Sequence, residues 1–418
     1  MAPEVHVLSA AGKPIFSTAA NAQDDGAHAS MSGLIQGISS FSKDALRVIK
    51  TKTTTLHFLP CHPLLFFCAL PVDYAGLNVP RLLLLIQHHV LFFLTENGLR
   101  LMETNPNYDL RNLLHGTEGL LASLARIWSS ATWAQLDGIG LRVWPMADEA
   151  RKTLQRAMDA PGLLFGLVLR DEYVLAYRQG HKDHPLPIND VHVLGHVVNH
   201  MTSFRSTESW TPICLPSFNR SGFVYAYIVF TSVDICTILI STNESQDQFH
   251  TFQTLHNNQI SRALMHLLSC QPPLVADAPP SLASYLPAAY QPLLLHFIYQ
   301  HARSHQVVSP SFKDSAVFED ATFQRQVLQH YHTLHQHLHS AGHRAETNRM
   351  GIPRAKDMAP SATTYLFRTN ALLVMGRVLE KQAGFIYVCC EGLVSAEDAD
   401  LICDRLVARI YQTGLYSL

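Results

Sequence analysis

The sequence predicts an α/β protein of three successive domains, each a mainly antiparallel sheet of five or fewer strands packed by helices. Three observations carry that expectation. Short alternating apolar segments are interleaved with segments of helical period, in an order that repeats along the chain. The stretch from Gln271 to Pro292 holds six prolines and several alanines, which marks a linker. The length of 418 residues exceeds one ordinary core and suits two to four domains.

The first block, 1–130, has the clearest element order. Glu4 to Ala10 alternates as a strand, and Gly12-Lys13-Pro14 turns the chain into a second strand at Ile15 to Ser17. A polar loop from Ala19 to His28 precedes a helix over Met31 to Phe41, where Met31, Leu34, Ile35, Ile38 and Phe41 fall at helical spacing. Strands follow at Ala45 to Lys50, Thr54 to Leu59 and Leu64 to Leu70, then helices near Val79 to Leu94 and Gly116 to Ser129. The run Leu82 to Leu94 is too short for a membrane span of about 20 residues and carries Gln87, His88 and His89, so it predicts a helix buried on nearly all sides.

The second block, 131–270, repeats this order. A hairpin over Leu163 to Leu169 and Tyr173 to Arg178 turns at Arg170-Asp171-Glu172. A helix over Asn189 to Phe204 follows, with Asn189 or Asp190 as its N-cap. Strands at Gly222 to Phe230 and Ile235 to Ser241 and a helix from Gln246 to Leu268 complete the block. Beyond the linker, 271–292, the third block, 293–418, offers strands at Leu293 to Gln300, Thr364 to Gly376 and Ala383 to Cys390. Its helices lie at Phe323 to His339 and Ala396 to Thr413, and a polar loop is expected from Ala341 to Pro360.

Composition excludes several classes. Hydrophobic residues make up 47% and charged residues 15%, a globular rather than disordered balance. A formal charge of -2 leaves no electrostatic footprint for nucleic acid. Eight scattered cysteines without a CxxC pair suggest buried thiols in a reducing compartment. The N-terminus lacks a basic segment followed by a long apolar one, so no secretory signal is expected. Ala11-Gly12-Lys13-Pro14 fails as a phosphate-binding loop, which needs an earlier glycine and a hydroxyl after the lysine; Pro14 also removes an amide donor. Neither a Gly-x-Ser-x-Gly elbow nor a Gly-x-Gly-x-x-Gly fingerprint occurs. The paired carboxylates Asp24-Asp25 and Glu397-Asp398 fall in polar loops or at a helix start, where anionic side chains are expected anyway. No cofactor is called for.

Histidine is the compositional oddity, with 24 in the chain. His192, His196 and His200 recur every four residues, a spacing able to chelate zinc, but Val193 stands where a zinc protease needs its glutamate. Val191, Leu194, Val197, Val198 and Met201 define the opposite face, so the histidines are expected to point to solvent. In the second cluster His332, His335 and His339 share a face opposite the stripe of Phe323, Val327, Tyr331, Leu334 and Leu338, and are expected to be exposed as well. No metal is assigned to either.

The helix over Met31 to Phe41 has a second face poor in side chains. Gly33, Gly37 and Ser40 lie at i, i+4 and i+7, and each glycine costs roughly 0.5–1 kcal/mol of helix stability relative to alanine. Close approach of another backbone explains them, whether from within the domain or from a partner.

Val5 to Ser17 with its Gly12-Lys13-Pro14 turn, then Gly33-Leu34 and Ser40-Phe41, resembles the first longin domain of the monensin-sensitivity (Mon) family. Tyr108, Asp109, Leu110 and Arg111, with Gly116-Thr117-Glu118 after them, are similar to a signature that follows that domain's long helix. The most specific stretch is Trp210-Thr211-Pro212-Ile213-Cys214-Leu215-Pro216-Ser217-Phe218-Asn219, closing on Gly222-Phe223, which resembles the family's second-domain motif. On its own chemistry that motif is a stiffened extended connection, with Pro212 and Pro216 restricting it, Trp210 and Phe218 anchoring it and Gly222 opening the next strand.

The resemblance implies three longin-like domains and an obligate heterodimer with a Ccz-type longin subunit. It implies that the pair promotes GDP release from a late-endosomal or vacuolar Rab GTPase, without covalent catalysis. It further implies a cytoplasmic protein held peripherally on late endosome, vacuole or lysosome membranes through lipids, phosphoinositides among them. Gly33, Gly37, Ser40 and Phe41 are the expected surface for the Rab or the Ccz subunit. A non-catalytic longin scaffold, another tri-longin subunit and a histidine-dependent metalloenzyme are the alternatives.

Overall fold

Alternation in the first strand sets the layering of the first domain. The computed structural model describes residues 3–9, 12–18, 33–35, 37–38, 46–72, 79–104, 114, 116–130, 141–144, 146–181, 185–270, 282, 285–301, 306–310, 312, 316–343, 364–379 and 384–412. Strands β1 (Glu4–Ser9), β2 (Pro14–Ser17), β3 (Val48–Lys50), β4 (Thr54–Cys61) and β5 (Leu64–Pro71) form one antiparallel sheet in the order β2-β1-β5-β4-β3. Val5 and Val7 of β1, with Leu64, Phe66, Cys68 and Leu70 of β5, face helices α1 (Val79–Thr104) and α2 (Glu118–Ser130). Their neighbours Leu8 and Phe67 face the other way, with Phe58 and Ile35. The Gly12 turn adopts φ +76°, a conformation that favours glycine, and closes on hydrogen bonds between Ser9 and the Gly12 and Lys13 amides.

The apolar run forms the first part of α1, buried on nearly every side as expected, Gln87, His88 and His89 included. At Thr95 (φ 58°) the helix kinks and continues to Thr104, with the Thr95 hydroxyl accepting from the Gly98 amide. Val79–Leu101 is, among the described residues, the helix long and apolar enough to cross a membrane, and most of it is buried within the fold. One side of α1 covers β4 and β5; another packs on the second domain.

Two short elements precede the second sheet, β6 (Leu141–Arg142) and α3 (Asp148–Ala157). The sheet comprises β7 (Phe165–Arg170), β8 (Tyr173–Gln179), β9 (Ser209–Leu215), β10 (Asn219–Phe230) and β11 (Ile235–Ser241), ordered β8-β7-β11-β10-β9. This is the first sheet's pattern again. Helix α4 spans Ile188–His200 and a 3-10 turn spans Thr202–Phe204, replacing the single longer helix expected. Neither Asn189 nor Asp190 caps α4; Pro187 occupies the N-cap, with no side-chain bond. The closing helix starts on Ser245, whose hydroxyl accepts from the Gln248 amide, and runs as α5 (Gln246–Leu255), a π-turn over His256–Ile260, and α6 (Ser261–Cys270).

The third sheet holds β12 (Leu294–His301), β13 (Gln306–Val308), β14 (Thr364–Arg368), β15 (Leu372–Val378) and β16 (Gly384–Glu391), ordered β14-β15-β16-β12-β13. A sixth strand is added from upstream: β6 pairs in parallel with β13, Gln306 opposite Leu141. Helix α7 (Ala321–His343) lies on one face and α8 (Ala396–Gln412) on the other, the latter burying Ala399, Ile402, Cys403, Leu406 and Ile410. The expected stretch Thr364 to Gly376 is a hairpin of two strands. Leu282, Tyr285 and Leu286, from the proline-rich segment, are buried in this third core; residues 271–281 lie outside the described residues, as do 344–360 of the expected polar loop.

The described chain forms two compact units. Met1–Gly138, Gln155–Glu172 and Tyr177–Arg262 make one; Ile139–Leu154, Tyr173–Ala176 and Ala263–Leu418 make the other. Within the latter, the fully buried Arg151 guanidinium donates to the backbone carbonyls of Trp144 and Leu175, and burial lowers its pKa to about 10.

Candidate functional site: an uncovered helix and strand edge on the first domain

Helical backbone at residues 33–35 and 37–38 lies on the first sheet through one side chain, Ile35, buried in a cluster with Leu8, Phe58, Phe67 and Ile49. The apolar spacing also placed Leu34 and Ile38 toward the core, and this is corrected: Leu34 is 65% exposed and Ile38 37%. A helix carries apolar residues to more than its own sheet when something else is meant to cover them. Gly33 is exposed and Gly37 half-buried, and a Cβ built at either meets no atom within 4 Å outside its own helix. Of the two explanations for the glycines, tight packing inside the domain is thus not what the described residues display. Ser40 and Phe41 lie outside the described residues.

Beside the helix, β3 forms the edge of the sheet, with Val48 46% exposed and Arg47, Lys50 and Lys52 giving it a basic character. His57 pairs with Val48 across β4, and burial, then Lys50, holds its pKa below the ordinary histidine value. An edge strand presents unpaired backbone groups along its outer side, and basic side chains deter indiscriminate pairing there.

The equivalent face of the second domain, α4 and the edge strand β9, is occupied. Helix α1 of the first domain packs against α4, β9 and β10. Arg81 donates to the Asn189 carboxamide across this joint, and Asn97 donates to the Ser221 carbonyl at 2.9 Å.

The Trp210 motif builds this edge. Trp210 is half-buried against Tyr225, Phe249 and Phe252, with its indole N–H directed at the Glu244 carbonyl. Pro212 is exposed on the edge strand, Pro216 is buried, and Phe218 packs edge-to-face on Phe165. Gly222 sits in a bulge where a Cβ would come within 3.1 Å of Asn219. The turn between β9 and β10 is held by Asp190, whose carboxylate accepts from the Ser217 and Phe218 amides at 3.0 and 2.8 Å. Burial raises the Asp190 pKa to about 6 against the pull of those two donors. Sequence reasoning gave Asp190 to its own helix as a cap; the side chain reaches the motif instead. Tyr108, Asp109, Leu110 and Arg111 lie outside the described residues.

The expectation of solvent-facing histidines holds for His200, which is exposed, and needs correction for His196 and His335; the His339 side chain lies outside the described residues. His196 does not point to solvent: it is hydrogen-bonded to His89 of α1 and Ser123 of α2, because the face of α4 turned from its own sheet is covered by the first domain. Burial lowers the pKa of His192 to about 4 and places that of His196 well below 6.5. His335 is also buried, its Nδ1 2.7 Å from the Tyr387 hydroxyl. Among the described residues no three His, Cys, Asp or Glu side chains are grouped to hold a metal ion. Ser395 caps α8, accepting from the Asp398 amide and donating to its carboxylate, which places the Glu397-Asp398 pair in helix capping.

Family models match the chain in order: the first, second and third Longin domains of FUZ, MON1 and HPS1, over residues 4–124, 161–260 and 293–413. Protein SAND of Takifugu rubripes is 29% identical over 80% of this chain and 64% of its own length. Vacuolar fusion protein MON1 homolog A of Homo sapiens is 29% identical over 82% of this chain and 52% of its own. Vacuolar fusion protein MON1 of Yarrowia lipolytica is 28% identical over 82% and 62%. The chain belongs to the Mon family. It spans 52% to 64% of the length of these three Mon relatives. The Mon family's three longin domains coincide with the three sheets, and the interval between the first two matches contains β6, which the fold gives to the third sheet.

Proposed function

We propose that this chain is the Mon-type half of a guanine nucleotide exchange factor. Paired with a Ccz-type longin subunit, it promotes GDP release from a late-endosomal or vacuolar Rab GTPase. It acts in endosome maturation, autophagy and vacuole fusion, from the cytoplasmic side, held peripherally by membrane lipids that include phosphoinositides. The relatives' printed names support the vacuolar-fusion setting. The observation that carries the proposal is the first domain's helix, which leaves Leu34 and Ile38 exposed beside Gly33, Gly37 and the edge strand β3. The second domain's counterpart of that face is already filled by α1, which supports the first domain as the one that receives another longin subunit.

Exchange of this kind needs no acid, base or nucleophile. A complex that binds nucleotide-free Rab more tightly than loaded Rab weakens nucleotide binding by the same factor, because linkage is reciprocal. The test is release of fluorescent GDP from a late-endosomal Rab on adding the chain co-purified with its Ccz partner. Marked acceleration is expected. No acceleration, with an intact heterodimer and a loaded Rab, would overturn the exchange reading and leave a longin scaffold.

A further inference from the structure

Ser123, His196 and His89 form a single hydrogen-bonded line across the joint between the first and second domains. At one end His89 Nδ1 lies 2.7 Å from the Leu85 carbonyl. His89 Nε2 then lies 2.9 Å from His196 Nδ1, and His196 Nε2 lies 3.1 Å from Ser123 Oγ. At the other end Ser123 Oγ lies 2.8 Å from the Leu120 carbonyl. The line has four links, and carbonyl oxygens, which only accept, close it at both ends.

Each link needs one hydrogen. A neutral imidazole supplies one ring N–H and a serine one O–H, so two neutral rings and one hydroxyl supply three. One link must therefore hold two facing lone pairs. The contact at 3.1 Å is the longest of the four and is assigned that place. His89 then donates from Nδ1 to Leu85, His196 donates from Nδ1 to His89, and Ser123 donates to Leu120. His196 Nε2 is left as a bare lone pair facing the Ser123 oxygen, and one added proton there completes every link.

We propose that His196 Nε2 is a half-buried proton-binding site with Ser123 Oγ as its acceptor, so that a single proton tunes how the first domain's helices hold α4. The surroundings set when that proton enters. From α1 the group is faced by His89, and from α4 by His192 and by His200, whose ring lies 4.3 Å from that of His196; Arg81 of α1 bears on His88 and His192 rather than on His196 itself. Arg220, near His88, comes from β10. From α2 it is faced by the Ser123 hydroxyl, with Arg126 at the surface. The groups that bear directly on His196 are all cationic when charged, while the Asp190 carboxyl of α4 lies near Arg220. Burial and these neighbours hold His196 well below 6.5, so the site fills on acidification, not at neutral pH. The folded chain then binds fewer protons than the unfolded chain below pH 6.5, and stability falls as pH falls through that range. A second proton on the pair would break the His89–His196 link, so the two rings share one titration.

The test is long-range proton–nitrogen NMR of the full chain labelled with 15N-histidine, followed from pH 8 down to about pH 3 because burial holds His89 near 4, with signals assigned through His196→Gln and His89→Gln. The expected result is one common step below pH 6.5 that moves both rings. Ser123→Ala removes the acceptor and the lone-pair conflict together. It should lower the midpoint by about one pH unit, a tenfold loss of proton affinity, without lowering the neutral-pH melting temperature. Ser123→Thr should keep the step. Independent titration of the two rings, an unchanged midpoint in Ser123→Ala, or unfolding before either ring protonates would each overturn the proposal.

Discussion

Gly37→Leu separates a packing glycine from a docking glycine. A Cβ at Gly37 meets no atom within 4 Å outside its own helix, so the described fold has room for a side chain there. Removing a helix-interior glycine stabilises that helix by about 0.5–1 kcal/mol, because the unfolded chain loses conformational freedom. The chain itself should therefore melt at the same temperature or slightly higher. A partner backbone seated over the glycine would meet the new side chain, and overpacking of that kind costs about 1–3 kcal/mol. At 1.4 kcal/mol per tenfold, affinity for the Ccz subunit should fall by about 5- to 140-fold. Calorimetric titration of the subunit into wild-type and variant chains reads the affinity, and a thermal melt of each reads the stability. Opposite signs in the two measurements are the expected signature. Unchanged affinity would refute the assignment of this face, and a lowered melting temperature would return Gly37 to packing inside the domain.

Leu34→Ala truncates a side chain that is 65% exposed, so stability should hold; if the partner buries it, affinity should drop by about 1–2 kcal/mol in the same titration. Asp190→Ala removes the acceptor for the Ser217 and Phe218 amides and should destabilise the chain by about 2–4 kcal/mol, read as a lower denaturant midpoint. As pH falls from 7 towards 4 the wild-type carboxyl takes up a proton that the unfolded chain does not, so wild-type stability gains relative to the variant and the difference between the two proteins should widen. Arg151→Met keeps much of the buried volume but strips two backbone carbonyls of their donor, a loss of about 2–5 kcal/mol that should appear as early proteolysis around residues 139–154.

The elements were largely legible because strands such as β1 carry a two-residue alternation, β7 and β11 are short continuous apolar runs buried throughout, and helices carry a 3.6-residue period. Val5 and Val7 against His6 and Leu8 already specify a sheet buried on both faces. The elements missed were α3, β9, whose prolines make it read as a stiffened connection, and the shortest strands. The two residues of β6 and the three of β13 are too short to show a period, and their pairing joins positions 165 residues apart. Side-chain direction was misjudged wherever the covering surface came from elsewhere in the sequence. His196 has a polar neighbourhood in its own helix, yet its partners are residues 107 and 73 positions away. Leu34 and Ile38 failed in the opposite sense: apolar spacing marks a face that is covered, without saying by what.

That ambiguity resolves once the three sheets are compared. Each has the same strand order and one helix between its second and third strands: the helical residues 33–35 and 37–38 before β3, α4 before β9, and α7 before β14. In the second domain α1 fills the face of α4 and β9, which is why the first part of α1 is apolar on nearly every side: it serves the first sheet on one side and α4 with β9 and β10 on another. The polar residues inside its apolar run belong to the same arrangement, Gln87 donating to Cys61 and His89 meeting His196. In the third domain β14 leaves Leu366 and Phe367 partly exposed, and in the first domain the helix leaves Leu34 and Ile38 so. The nearly all-round apolar helix and the overextended apolar stripe are thus two outcomes of one requirement. The chain covers the helix-and-edge face of the second domain internally, and under the proposed function a Ccz-type subunit would cover that of the first.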